Sequence, residues 1–233
     1  MLKITGIIAA GGTGSRLGVA GGKQLLELAG KPVAAWAVDA LAAADLIQKL
    51  VIVCDPDRVD LYARSITAAV ATTKPLAFVA GGDTREDSVL AGLDAASDAC
   101  IVAVHDGARP LLDPAAAEAA IQMLLDDKAA DGVVLANQAV DTLKRVGGNT
   151  IIDTPDRSLF WHAQTPQVFL REKLLQAYVK GIAEGFCGTD DASYVEHAGG
   201  VVRVIAGSRN NIKVTTQEDV EFVHTMLGGG RLT

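Results

Sequence analysis

Cysteine is scarce in this chain, and so are the features that would tie it to a membrane or a nucleic acid. Cys54, Cys100 and Cys187 are the only three cysteines in 233 residues. They are odd in number, far apart and without the C-x-x-C spacing that metal and redox sites use. They read as reduced core thiols of a cytoplasmic protein. No apolar stretch approaches the roughly 20 residues that a membrane span needs. The N-terminal apolar run ends at Ala10, where glycines follow at once, so it reads as a buried strand rather than a signal peptide. Lys and Arg number 21 against 28 Asp and Glu, a formal charge of −7. That balance opposes a long non-specific nucleic-acid track, which needs clustered bases. A small anionic ligand could still be met by a few local cations. There is no internal repeat, linker or low-complexity segment, and 49% hydrophobic content is enough to fill one core. Residues 1–233 therefore read as a single domain with room for one appendage.

What is present is a regular alternation. Ile4 to Ala10, Leu50 to Cys54, Leu76 to Ala80, Ile101 to Val104 and Val133 to Ala136 read as buried strands. Val33 to Ala44, Arg58 to Val70, Arg85 to Ala96 and Ala115 to Asp127 carry helical spacing between them, with Pro32 and Pro114 placed for a first turn and Asp83 or Thr84 for a cap. This order predicts an α/β fold, a mostly parallel sheet with helices on both faces, whose ligands bind beyond the carboxyl ends of the strands. From Gln138 to His162 the rhythm breaks. Val140, Thr142 and Lys144 alternate with their neighbours, Gly147-Gly148-Asn149 makes a turn, and Thr150 to Thr154 is extended. Such a hairpin has little core of its own, so a second copy of the chain is its expected support. Helices near Lys173 to Ala183 and Ala192 to His197, a strand from Val201 to Ile205 and a helix after Thr216 complete the reading.

The strongest local signal is Ala10-Gly11-Gly12-Thr13-Gly14-Ser15-Arg16-Leu17-Gly18, directly after the first strand. Its glycines can turn backbone amides toward an anion, and Arg16 adds a fork suited to phosphate. A dinucleotide fingerprint fails here, for Leu17 stands where the third glycine belongs, and the second strand, whose end should bring an acid about twenty residues on, ends instead near Asp55. A Walker loop fails too, since Lys23 is followed by Gln24. Lys23, set after Gly21-Gly22, could project a charge over the loop. Gly81-Gly82-Asp83 opens the third helix with Ser88 one turn inside; these groups could bond the edge of a base, or Asp83 could serve only as an N-cap. His105-Asp106-Gly107-Ala108-Arg109-Pro110 ends the fourth strand. A carboxylate there suits Mg²⁺ and a neighbouring arginine suits a phosphate, although an Asp–Arg pair also stabilises an ordinary turn. Asp156-Arg157, Trp161 through Gln167, Thr189 through Ser193 and Asn211 through Thr215 each read singly as a surface pair, a loop, a helix cap and a strand end. The four histidines show no metal-ligand spacing, and no serine sits in a G-x-S-x-G elbow.

As an ordered set these motifs, with Asp141-Thr142-Leu143-Lys144 and Trp161-His162, resemble the 2-C-methyl-D-erythritol 4-phosphate cytidylyltransferases over nearly the whole chain. Gly11 and Gly22 stand where that family usually has Ala and Pro. The resemblance implies a Rossmann-like domain with a projecting β-arm at about residues 138–162 that builds a homodimer with shared active sites. It implies transfer of CMP from CTP to a small polyol phosphate, with Mg²⁺ or another divalent cation and no organic cofactor. Arg16, Lys23 and Lys213 would attend the triphosphate and the attacked phosphorus. Ala10, Gly11, Gly12, Gly14, Gly82, Asp83 and Ser88 would hold the nucleotide. Asp106 would face the metal, and Asp106, Arg109, Thr142, Arg157, Thr165 and Thr189 the acceptor. A ribitol 5-phosphate or other sugar-phosphate nucleotidyltransferase and a non-catalytic nucleotide-binding regulator are the competing readings.

Overall fold

The computed structural model describes residues 2–12 and 22–228. Its centre is a seven-stranded sheet in the order β11-β7-β10-β6-β1-β4-β5. β1 (Ile4–Ala9), β4 (Lys49–Cys54), β5 (Leu76–Ala80) and β6 (Ile101–Asp106) run parallel to one another, and β11 (Val202–Ala206) runs parallel to β7 (Gly132–Gln138). The apolar alternation of these strands decides which layer each side chain joins. Ile4, Ile8, Leu50, Ile52 and Ala103 point to one face, against Val38 and Leu41 of α1 (Val33–Ala42), Tyr62 and Ile66 of α2 (Val59–Ala69) and Ile121 of α4 (Pro114–Asp126). Ile7, Val51, Val53, Val102 and Val104 point to the other. There they meet Val89 and Leu93 of α3 (Arg85–Ala95), Tyr178 of α5 (Arg171–Ala183) and Val195 of α6 (Asp191–His197). Each fully buried side chain of this size contributes about 1.5–3 kcal/mol, whereas an ion pair held in water, such as Lys3–Asp98, is screened and adds little. The two apolar layers therefore hold the fold. A smaller cluster of Leu28, Val33, Val214, Val220 and Val223 seats α7 (Gln217–Met226) beside the short hairpin of β2 (Glu27–Leu28) and β3 (Lys31–Pro32).

Three expectations need correction. The segment read as a loop through Gln167 is β10 (Trp161–Leu170), which runs antiparallel between β6 and β7. Polar side chains and Pro166 hid it, and its pairing with β7 shifts register between Ala163 and Gln167, where a proline can be accommodated. The hairpin is shorter than its alternation suggested: β8 (Arg145–Gly147) pairs with β9 (Thr150–Asp153), while Val140 to Lys144 form no strand. Of the two caps offered for α3, Asp83 and Thr84, it is Thr84 that serves, through a capping box with Asp87. Only Cys54 is a core thiol, for Cys100 lies on the turn into β6 and Cys187 in the link between α5 and α6, both exposed.

Candidate active site

The carboxyl ends of β1, β5 and β6 surround a cleft of about 370 Å³, within the size range of small-molecule sites. Gly11 and Gly12 form one wall after β1. Opposite stand Gly82, Asp83, Thr84, Arg85 and Ser88 after β5, with Asp106 and Ala108 from the end of β6 as the floor. Ala10 is fully buried behind the first wall, its N–H bonded to the carbonyl of Val53 at 2.8 Å. The turn after β5 demands glycine for a steric reason. A β-carbon on Gly82 would lie 2.3 Å from that of Asp87, and the Gly82 N–H donates to Ser88 Oγ at 3.3 Å. The turn into Lys23 has a conformational reason instead, because Gly22 sits at φ +86°, a region closed to proline.

Asp106 organises the charges. Its Oδ2 accepts from Arg109 Nε and from Lys213 Nζ, both at 3.1 Å, while Arg109 Nη1 donates to the Asn211 carbonyl at 2.7 Å. Burial disfavours the Asp106 charge, but Lys213, Arg109 and Arg85 overcome it and hold the carboxyl well below the usual carboxylate range. It is ionised at neutral pH. Lys23 lies in a short 3-10 turn, nearly buried, and its Nζ donates to the Val214 carbonyl at 2.8 Å, next to Lys213. Thus two lysines distant in sequence line one cleft.

Behind Asp106 is a closed polar network. The Asp106 N–H donates to Thr165 Oγ1 at 3.0 Å; Thr165 Oγ1 is 2.9 Å from His105 Nδ1, and His105 Nε2 is 3.0 Å from the Arg109 carbonyl. A carbonyl can only accept, so Nε2 carries the hydrogen and Nδ1 accepts from the threonine. Burial pushes His105 down to about 4. It is a neutral brace, fully enclosed, and not a base facing the cleft.

Of the residues singled out from the sequence, the structure gathers Gly11, Gly12, Lys23, Gly82, Asp83, Ser88, Asp106 and Lys213 in the cleft wall. Ala10, Arg109 and Thr165 support that wall through the bonds described. Thr189 is exposed, immediately before α6. Thr142 and Arg157 are exposed on the arm and do not line the cleft; Arg157 Nη1 donates to the Val140 carbonyl at 2.5 Å. Gly14 and Arg16 lie outside the described residues. Sequence reasoning left out Ala9, Gln24, Thr84, Arg85, Ala108 and Thr215, which also line the cleft. Arg85 was the most legible of these, as a base in the first turn after a glycine pair. Gln24 gave no signal beyond its place after Lys23, yet its Oε1 is buried and meets no hydrogen-bond partner among the described residues.

This sheet sets glycine turns and two cations around one carboxylate at its carboxyl edge, an arrangement suited to a phosphorylated ligand. The family model described as IspD, 2-C-methyl-D-erythritol 4-phosphate cytidylyltransferase, matches residues 4–228, and the chain belongs to this family. It is 42% identical over 224 residues to the 2-C-methyl-D-erythritol 4-phosphate cytidylyltransferase of Prochlorococcus marinus (strain MIT 9313), covering 95% of this chain and 96% of that one. The enzyme of the same name from Caldanaerobacter subterraneus subsp. tengcongensis is 36% identical over 228 residues, 97% of this chain and 99% of its own. Among solved structures, the 4-diphosphocytidyl-2C-methyl-D-erythritol synthase of Anaerococcus prevotii DSM 20548 superposes with a TM-score of 0.84 at 28% identity, covering 97% and 96% of the two chains.

Proposed function

We propose that this chain transfers the cytidylyl group of CTP to 2-C-methyl-D-erythritol 4-phosphate, releasing pyrophosphate, in the cytoplasmic synthesis of isoprenoid precursors. The observation that carries this reading is the ionised Asp106 held by Lys213 and Arg109 at the floor of a glycine-walled cleft. An oxygen of the acceptor's phosphate attacks the α-phosphorus, the bond to the α,β-bridging oxygen breaks, and pyrophosphate leaves with the electron pair. A phosphate monoester loses its second proton near pH 6, so it is already an anionic nucleophile. No general base is needed, which agrees with His105 being enclosed and neutral. Lys23 and Lys213, with Arg16, would stabilise charge on the triphosphate as it shifts toward the leaving group. Backbone groups of Gly11, Gly12 and Gly82 with Asp83 and Ser88 would hold the cytidine, and Gly14 would extend that loop.

A divalent cation suits Asp106. Its donor is a hard, ionised carboxylate oxygen at the cleft floor, and among the described residues no group of three or more His, Cys, Asp or Glu could hold an ion alone. Mg²⁺ accepts such a site when triphosphate oxygens and water complete its shell. When bound it would neutralise part of the triphosphate charge.

The acceptor would meet Arg109, Thr165 and Thr189, together with Thr142 and Arg157 from the arm of a second subunit. Supporting this are the exposed apolar side chains of the arm, with Val146, Ile151 and Ile152 each more than half exposed and Leu159 79% exposed. A homodimer would cover them and bring the arm to the partner's cleft. Among the described residues no helix is long and apolar enough to cross a membrane.

Pyrophosphate release from CTP with 2-C-methyl-D-erythritol 4-phosphate or ribitol 5-phosphate, with Mg²⁺ or excess chelator, tests the assignment. Turnover should require the metal and favour the methylerythritol acceptor. Full activity in chelator would remove the metal from the scheme. Equal or better turnover with ribitol 5-phosphate would transfer the assignment to that acceptor.

A further inference from the structure

Arg85 does not stand alone on the cleft wall. Its Nη1 and Nη2 donate to Asp191 Oδ1 and Oδ2 at 2.7 and 2.6 Å, a two-bond clamp of the planar guanidinium on the carboxylate. Asp191 is fully buried, whereas a third of the Arg85 side chain remains exposed and lines the cleft. The Tyr178 hydroxyl donates a third hydrogen bond to Asp191 Oδ1. Asp191 is also the first residue of α6, and the two residues before it are Thr189 and the cap Asp190. That segment is gripped from the other side by Gln167 of β10, whose Nε2 donates to Asp190 Oδ2 at 2.7 Å and whose Oε1 accepts from the Ala192 N–H at 3.0 Å. Arg85 meanwhile opens α3, within three residues of both Asp83 and Ser88. One buried carboxylate thus joins the turn assigned to the nucleotide with the segment assigned to the acceptor.

We infer that Asp191 is a positioning residue that couples the two substrate subsites, by clamping Arg85 on the nucleotide side and fixing the Thr189–Asp190 segment on the acceptor side. This rests on the function proposed above. A nucleotide that orders the turn from Gly82 to Arg85 would order the start of α6 through the same clamp. It would thereby tighten binding of the acceptor, and by linkage the acceptor would tighten binding of the nucleotide equally. A salt bridge serving stability alone would leave the two affinities independent.

The test is calorimetric binding of 2-C-methyl-D-erythritol 4-phosphate to the full chain with Mg²⁺, with and without a CTP analogue carrying a methylene between the α- and β-phosphates. In the unaltered protein the analogue should tighten acceptor binding about tenfold. In Asp191→Asn the ratio should fall to about one while each ligand alone still binds. Tyr178→Phe removes one of the three hydrogen bonds and keeps the ring stacked on Tyr194, 4.4 Å between centroids, so its ratio should lie between. If Asp191→Asn does not fold, Tyr178→Phe decides. A ratio of one in the unaltered protein, or an unchanged ratio in the variant that decides, overturns the coupling. Turnover separates the two failures: an unaltered protein that releases pyrophosphate normally yet shows no coupling refutes only this inference, whereas one inactive with both substrates refutes the proposed reaction.

Discussion

Lys23 lies in the cleft wall, whereas Arg157 lies on the arm and does not reach the cleft of its own chain. If Arg157 serves a partner's site, then Lys23→Ala and Arg157→Ala chains should rescue one another. Equal mixing with free exchange gives about half heterodimers, each with one doubly damaged site and one intact site, so about a quarter of wild-type activity should return. Each variant alone should sit about 10²–10³-fold below wild type, the scale of losing one transition-state donor, which leaves a wide window for detection. The arms offer an apolar surface for such a dimer. Val140, Val146, Ile151, Ile152, Leu159, Phe160 and Trp161 are all more than two-fifths exposed, and covering what remains open on two arms is worth on the order of 10 kcal/mol. That is comparable with the cost of association. The assay is pyrophosphate release followed over exchange time, with heterodimers counted by native mass spectrometry. Heterodimers in the expected proportion without recovered turnover would refute the shared site, and a monomeric wild type would refute the dimer.

In Lys23→Ala, turnover should fall about 10²–10³-fold with secondary structure unchanged, because the variant removes a nearly buried ammonium from the cleft wall; near-normal turnover would assign Lys23 to packing. His105 is neutral in the fold with its pKa lowered from 6.5 to about 4, so the unfolded chain takes up the proton first as pH falls. Its contribution to stability should be complete above pH 6.5 and lost by a few kcal/mol as pH drops toward 4, then level off. Denaturant melts across this range should fall more steeply for wild type than for His105→Gln, and parallel curves would remove His105 as the cause.

The parallel core was legible because nothing else explains its residues. Strands such as Leu50 to Cys54, apolar at every position, must be covered on both faces, and the structure buries all five. The cleft was legible in pieces, since Gly11 and Gly82 each follow a strand closely and Asp106 ends one. What sequence could not supply was partnership across the chain. Lys213 and Asp106 are 107 positions apart, and only the fold brings them to 3.1 Å. β10 was missed for the opposite reason: flanked on both sides by strands, it can carry Gln164, Thr165 and Gln167 buried because other residues satisfy them, so its polarity imitates a loop. Asp191 was read only within a helix start, since its partner Arg85 is 106 positions away.

The reversal of β10 also bears on how such a protein can diversify. β7 ends at Gln138 on the cleft edge of the sheet, and β10, running the other way, begins at Trp161 on that same edge. The 22 residues between them leave and re-enter without crossing the sheet, tied at their base where the Ala139 N–H meets the Phe160 carbonyl at 2.9 Å. That insertion could be lengthened, shortened or rewritten without disturbing any strand that carries the glycine turns. If Thr142 and Arg157 meet the acceptor as proposed, that part of acceptor recognition is separable from the cleft, and a lineage could rewrite it in the arm while leaving β1, β5 and β6 untouched.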